Sequence, residues 1–292
     1  MPEQAYPRDG VIQVEQVTGP VAYHGEGPVW WPGWGGLRWV DMLAGDVLSL
    51  GGDGSVSRHH VGAVAAALRP RRGGGAVIAV ERGFALEGSD GSLRLLPELW
   101  SGQAVRMNEG GCDPDGRFYC GSMAYDQQPG AASLYRLDTD LTVRVVLSGV
   151  TVSNGLEWSP DGSRAYYNDT ATHRISVFDY DPESGLSGRR TFAEIAHGGR
   201  PDGLTVDSEG GVWTAISNRG VVHRYSAEGR LEEVVAVPAR KVTACTFGGE
   251  QLDQLFITTS REGLPEGEDP LAGALFMASP QVVGLPAREF AG

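Results

Sequence analysis

An internal repeat constrains this chain more than any other feature. Between Val152 and Glu183, the stretch VSNGLEWSPDGSRAYYNDTATHRISVFDYDPE runs through a polar residue, a short apolar run, a Pro-Asp-Gly turn and two further runs of strand length. The same order recurs in GCDPDGRFYCGSM with SLYRLD and in GLTVDSEGGVWTAIS with VVHRYSAEG. It recurs more loosely in GPVWWPGWGGLRWVDM, AVAAALRPRRGGGAVIAVE and ACTFGGEQLDQLFITTS, making six copies. The second run of each copy begins near Leu37, Ala76, Arg117, Arg164, Gly211 and Gln254, at steps of 39, 41, 47, 47 and 43 residues. Short β-rich runs joined by tight turns make an antiparallel meander. A unit of this size, holding several strands and repeated, points to a β-propeller with one blade per unit. A lone four-stranded sheet cannot bury both faces, whereas a closed ring gives every blade two neighbours. The expected fold is therefore all-β: a six-bladed β-propeller with four antiparallel strands per blade. A β-sandwich could share the turns but would not hold turn and polar residue in one fixed phase.

No Pro/Ser tract, charge block or low-complexity run interrupts the 292 residues, and the 43 glycines fall mainly between strands, so residues 1–292 are expected to form one domain. The N-terminal MPEQAYPRDG lacks the pattern of a secretion signal, and no apolar run is long enough to span a membrane. These features predict a soluble, cytoplasmic protein without a membrane partner. Three cysteines, Cys112, Cys120 and Cys245, form no CxxC pair and read as small buried hydrophobes. A net charge of -13 repels phosphate backbones and argues against nucleic acid as a partner. The one basic cluster, Arg69, Arg71 and Arg72, reads as a solvated turn beside GGG. Trp30, Trp34 and Trp39 read as bulky filler between blades, in preference to a sugar-stacking platform.

In a propeller the first strand of each blade lines the central channel, so the residues that begin these strands face one another across one mouth. Those positions carry Glu26, the pair Ala63 and Val64, Arg106 with Asn108 and Glu109, Asn154, Asp202, and Lys241 with Thr243. Any one of these could simply cap a turn, but five of the six positions carry charge, amide or hydroxyl in a single phase, which points to a shared site. Glu26, Asn154 and Asp202 offer hard oxygen atoms, suited to Ca²⁺, Mg²⁺ or Mn²⁺ more than to a structural zinc. Three protein ligands leave room for water and substrate, as a catalytic site requires. The sequence has no nucleophile elbow, dinucleotide loop, Walker loop, HExxH or EF-hand loop. Its six histidines are scattered; His24 and His197 lie near the mouth but read as turn or surface residues.

The motifs GEGPVW, RMNEGGCDPDGRFYCGSM, SNGLEWSPDG, RPDGLTVDSEGGVW and TACTFGG resemble, in order and spacing, the family of regucalcin (senescence marker protein), gluconolactonases and luciferin-regenerating enzyme. The resemblance spans Glu26 to about Arg261. It implies a six-bladed propeller with a metal site in the central channel and hydrolysis of sugar lactones, with Glu26, Asn154 and Asp202 as metal ligands. It also implies that Arg106 and Asn108 contact substrate and that Asp126 stands where many members have a sugar-contacting glutamate. Two departures concern the substrate pocket. Glu109 stands where the family often has Asp, and Tyr125 precedes Asp126 where relatives often carry an acidic pair.

The expected chemistry is metal-dependent opening of an aldonolactone to the aldonic acid, with Asp202 as candidate general base and Arg106, Asn108, Asp126 and Glu109 around the substrate. One divalent ion is expected, Ca²⁺ ahead of Zn²⁺, Mn²⁺, Mg²⁺ or Fe²⁺. The partner is a small sugar lactone, and the protein is expected to be a monomer or a small homo-oligomer. The loops YDQQPGAAS and EGLPEGEDPLAG are long and polar enough to border the mouth as lids. Two rival readings keep the fold. One is a calcium-dependent phosphotriesterase or arylesterase; the other is a non-enzymatic calcium-binding regulatory propeller.

Overall fold

A computed structural model describes residues 12–292 and contains six four-stranded antiparallel sheets, with no helix longer than a single 3-10 turn among the described residues. It is a six-bladed β-propeller. The inner strands are Gly25–Trp31, Ala65–Pro70, Val105–Cys112, Ser153–Trp158, Arg200–Val206 and Val242–Gly248. In five blades the next three strands follow in chain order.

The sixth blade is completed differently. Its outer strand is Val14–Gln16, which pairs antiparallel with Leu275–Ala278 in the register Val14↔Ala278 and Gln16↔Phe276. The N-terminal strand thus closes the ring. Three residues, Val-Glu-Gln, carry too little pattern to foretell this.

The turns behave as the Pro-Asp-Gly signal implies. Gly116 and Gly162 take φ of 79° and 73°, and their N–H groups donate to Asp113 O and Ser159 O at 3.0 and 2.9 Å. An L-side chain would be strained at that φ, which explains the glycine.

Between blades the packing is aromatic and aliphatic. Trp39 is fully buried, Trp30 stacks on Phe256 of the sixth blade at 5.8 Å, and Trp34 Nε1 donates to Gly75 O in the second blade at 3.1 Å. The tryptophans therefore join blades, as expected. All three cysteines are buried free thiols, and burial raises each thiol pKa.

The basic cluster is not a solvated turn throughout. Arg71 Nε donates to Gly292 O at 3.1 Å and its Nη1 to Glu87 O at 3.0 Å, so this side chain clasps the C-terminal segment. That segment crosses the ring face where the inner strands end. It bonds Leu252 O through Gly284 N, Ser208 N through Val283 O, Ser159 O through Arg288, Pro70 O through Phe290 N, and Gly116 O through Ala291 N.

Candidate active site

Every inner strand carries one extra residue against its neighbour. The register shifts lie between Glu26 and Val29, Ala65 and Ala67, Met107 and Gly110, Ser153 and Leu156, Pro201 and Leu204, and Val242 and Ala244. A β-bulge bends its strand and re-aims the side chain it carries. Four bulges hold Asn108, Asn154, Asp202 and Thr243, Glu26 directly precedes the bulge of the first blade, and the bulge of the second blade holds Ala66. This is the physical origin of the shared phase. It also corrects the second blade: Ala63 and Val64 precede the strand, and the matching residue is the fully buried Ala66.

The glycine after two of these residues has a steric cause. A Cβ on Gly155 would lie 2.4 Å from Leu204 N, and one on Gly203 would lie 2.4 Å from the Ala244 Cβ. Neighbouring inner strands can approach this closely only without that carbon. The chain leading into the bulge is also fixed, because Asp41 accepts from His24 N at 2.9 Å and Asp169 accepts from Val152 N at 3.0 Å.

The bulges surround a cavity of about 320 Å³ at the mouth where the inner strands begin. Glu26, Arg106, Asn108, Asn154, Asp202 and Thr243 all line it. Asn154 Nδ2 donates to Asp202 Oδ1 at 2.5 Å and to Thr170 Oγ1 at 3.1 Å. Its Oδ1 is buried and has no hydrogen-bond partner among the described residues.

Burial pushes the Asp202 carboxyl up to about 7, against the hydrogen bond from Asn154. Burial also raises Glu26 well above the ordinary range, with the Asp202 charge adding to the effect. Two buried, mutually repelling carboxylates beside an orphaned amide oxygen are what a divalent cation would relieve, and the donor set fits a hard ion.

On the same wall, Arg106 Nη1 donates to Asn108 Oδ1 at 2.6 Å and to Met107 O at 3.0 Å, and Asn108 Nδ2 donates to Ser153 O at 2.8 Å. Arg106 is 4% exposed, forms no ion pair among the described residues, and leaves its Nε without a partner.

Residues 24–261 match the SMP-30/gluconolactonase/LRE-like region. The chain belongs to that family. It is 36% identical over 276 residues to the 6-deoxy-6-sulfogluconolactonase of Pseudomonas putida, covering 92% of this chain and 95% of that one. It is 34% identical over 296 residues to regucalcin of Sus scrofa, covering 96% and 99%. The solved calcium-binding regucalcin of Agrobacterium tumefaciens superposes with a TM-score of 0.90 at 26% identity, over 96% of this chain and 98% of that chain.

Two positions marked for substrate by likeness to the family do not line this cavity. Asp126 is exposed, and its Oδ1 accepts from Gln128 N at 3.1 Å within its own turn; its neighbours Tyr125 and Gln127 line the cavity instead. Glu109 is buried, with Oε1 accepting from Gly110 N at 2.9 Å. Burial raises its pKa and the Arg69 charge opposes the rise; Arg69 lines a second, small cavity at the opposite end of the inner strands.

The structure adds a second ring. Two residues before the bulged positions stand His24, Arg106, Val152, Arg200 and Lys241, and all five line the cavity. Alternate residues of a strand share a face, so the period-two rule, applied upstream of each polar residue, identifies this ring from the sequence. His24 is therefore a cavity residue. Its Nδ1 lies 2.7 Å from Ser260 Oγ, its Nε2 lies 3.8 Å from Glu26 Oε1, and burial pushes its pKa down to about 4. His197 is exposed and does not line the cavity. Both expected lid loops reach the mouth, through Tyr125 and Gln127 and through Glu262.

Proposed function

We propose that this protein is a metal-dependent lactonase that opens sugar lactones to aldonic acids. The observation carrying this reading is the unpaired Asn154 Oδ1 beside the carboxylates of Glu26 and Asp202, at the floor of a cavity whose wall bears the Arg106–Asn108 pair. Lactonase names among the relatives agree with it, as in the sulfogluconolactonase above. A divalent cation held by Glu26, Asn154 and Asp202, with Ca²⁺ as the first candidate, would polarise the lactone carbonyl and offset charge on the tetrahedral intermediate.

The protein's own groups carry the remaining steps. Asn154 Nδ2 holds Asp202 Oδ1 in place, so this carboxylate presents a fixed oxygen to a proton donor in the cavity. Asp202 takes a proton from the water that adds to the carbonyl carbon. The C–O bond to the ring oxygen then breaks, and that oxygen receives the proton, leaving a hydroxy acid. Arg106 and Asn108 hold the ring hydroxyls and supply orientation. His24, neutral above about pH 4, contributes shape and hydrogen bonding without charge.

The test is a pH-indicator assay on D-glucono-1,5-lactone and an activated phosphotriester, using chelated protein resupplied with Ca²⁺, Mg²⁺, Mn²⁺, Fe²⁺ or Zn²⁺. Lactone opening that disappears on chelation and returns with one of these ions is expected. Turnover confined to the phosphotriester, or metal binding with no turnover of either, overturns the reading.

A further inference from the structure

The mouth of this acidic protein is rimmed with cations. Arg106, Arg200 and Lys241 line the cavity two residues before the bulged positions, above the carboxylates of Glu26 and Asp202. Lys241 is accounted for, because its Nζ donates to Glu262 O at 2.5 Å and lies 3.4 Å from Glu262 Oε2. Among the described residues the two arginines have no anionic partner: Arg106 bonds the neutral Met42 Sδ, Met107 O and Asn108 Oδ1 and lies over the Tyr125 ring, and the Arg200 side chain makes one hydrogen bond, from Nη2 to the neutral Gln127 Oε1 at 2.8 Å. That bond reaches from the fifth blade to the loop of the third, past the blade that carries Asn154.

Charge bookkeeping gives this pattern a direction. With every group ionised, Arg106, Arg200 and Lys241 balance Glu26, Asp202 and Glu262 across the lining. Adding the divalent cation of the proposed reaction leaves the cavity with two surplus positive charges. A neutral lactone would leave that surplus, and the poorly paired arginines, unanswered. An anionic group would answer both, because a guanidinium offers a planar fork to carboxylate, sulfonate or phosphate.

We propose that the preferred substrate is a lactone bearing an anionic group at the end remote from the carbonyl, and that Arg200 is the residue that selects it. The proposal rests on the lactonase reading for its reaction, but the anion subsite is a separate claim. Arg200 is half-buried and can give up Gln127 for a ligand, since a neutral carbonyl acceptor is the weaker partner.

A matched pair of probes isolates the charge. D-glucaro-1,4-lactone and D-glucono-1,4-lactone share ring and stereochemistry and differ in a terminal carboxylate against a terminal hydroxymethyl. The Ca²⁺-loaded protein is expected to favour the glucaro compound by at least tenfold in kcat/KM. Arg200→Gln should erase most of that ratio, chiefly through KM, and Arg200→Lys should restore part of it. Raising the salt concentration should lower the wild-type ratio, because screening weakens the ionic contact. Calorimetry on chelated protein, which would not consume the lactone, should show the glucaro compound binding at least fivefold more weakly to Arg200→Gln.

Equal turnover of both lactones, with binding indifferent to Arg200, overturns the anion subsite and leaves the lactonase reading standing. Binding that depends on Arg200, with neither lactone opened under any metal, supports the subsite and overturns the reaction. Circular dichroism of the Arg200 variants confirms that a lost ratio is not a lost fold. A phosphorylated arm, 6-phospho-D-glucono-1,5-lactone against D-glucono-1,5-lactone, distinguishes a phosphate preference from a carboxylate one.

Discussion

Where the inner strands begin, the channel opens into a cavity of about 320 Å³ lined by carboxylates, amides and guanidinium groups; where the same strands end, about 40 Å³ remains. The second end is filled by residues 285–288 of the C-terminal segment, and behind it Phe290 is fully buried in the cluster that holds Phe118 and Leu137. Local strand geometry accounts for the contrast. At the first end every inner strand carries a bulge, and in five of the six a polar side chain at or directly before it lines the cavity. Past the bulge the register is regular and the facing residues include Val29, Leu204 and Val206, which the tail can cover. Under the proposed function one end serves chemistry and the other closure, and the two should respond differently to mutation.

The largest expected effect lies at the open end. Asp202→Ala should lower kcat/KM by about 10³-fold or more, because under the proposed mechanism it removes both a metal ligand and the proton acceptor. The melting temperature of the metal-free protein should hold or rise, since the change takes away a buried carboxylate that is repelled by Glu26. Lactone assays paired with thermal melts check this. An Asp202→Ala protein that retained near wild-type turnover would remove the reason for calling this end chemical.

The next effect belongs to the closed end and reverses the pattern. Phe290→Ala empties a fully buried aromatic site and should cost about 3 to 5 kcal/mol of stability, with turnover per folded molecule unchanged. Denaturant melts and active-site titration separate the two quantities. A large fall in turnover without loss of stability would show that the tail is coupled to the mouth and would dissolve the division.

The same contrast explains how far the sequence could be read. The blades were legible because each repeats a turn and an apolar run. Glu26, Asn154 and Asp202 stand out in the sequence because each sits at or directly before a bulge, at a similar distance from the turn that follows. The closing strand Val14–Gln16 and the C-terminal segment occur once each, so no repeat announces them. Arg200 carries no signal in the repeat because it stands two residues upstream of the polar phase, and His24, which reads as a turn or surface residue near the mouth, occupies the equivalent place in the first blade. At Asp126 likeness to the family and local geometry diverge, because its Oδ1 accepts from Gln128 N within its own turn while Tyr125 and Gln127 line the cavity.

A third effect belongs to neither end and serves as their control. His223 lies inside the fifth blade, where its cross-strand partners Thr214 and Val234 offer no charge, and burial pushes its pKa down from 6.5 to about 4. The unfolded chain binds this proton near pH 6.5 and the folded protein only near pH 4, so stability present above pH 6.5 is lost as pH falls through that window. The full shift corresponds to at most about 3 kcal/mol. Stability profiles from pH 7 to 4 should be flatter in His223→Gln, and equally so with or without added metal. A metal-dependent difference would mean that the blade wall reports on the mouth.

The smallest effect tests what holds the closed end shut. Arg71 donates to Gly292 O and Glu87 O, but its side chain is only half-buried, so water can replace either bond. Arg71→Met keeps the aliphatic length and removes both donors. The expected cost is about 1 kcal/mol, or roughly 2 °C in Tm for a chain of this size. The comparison with Phe290→Ala is what matters. A cost several times smaller places the grip of the tail in its apolar anchor, with the guanidinium clasp only trimming the end. Equal costs would mean that the tail is held by polar contacts at its last residue, in which case salt and pH, and not packing, would govern how firmly that end is closed.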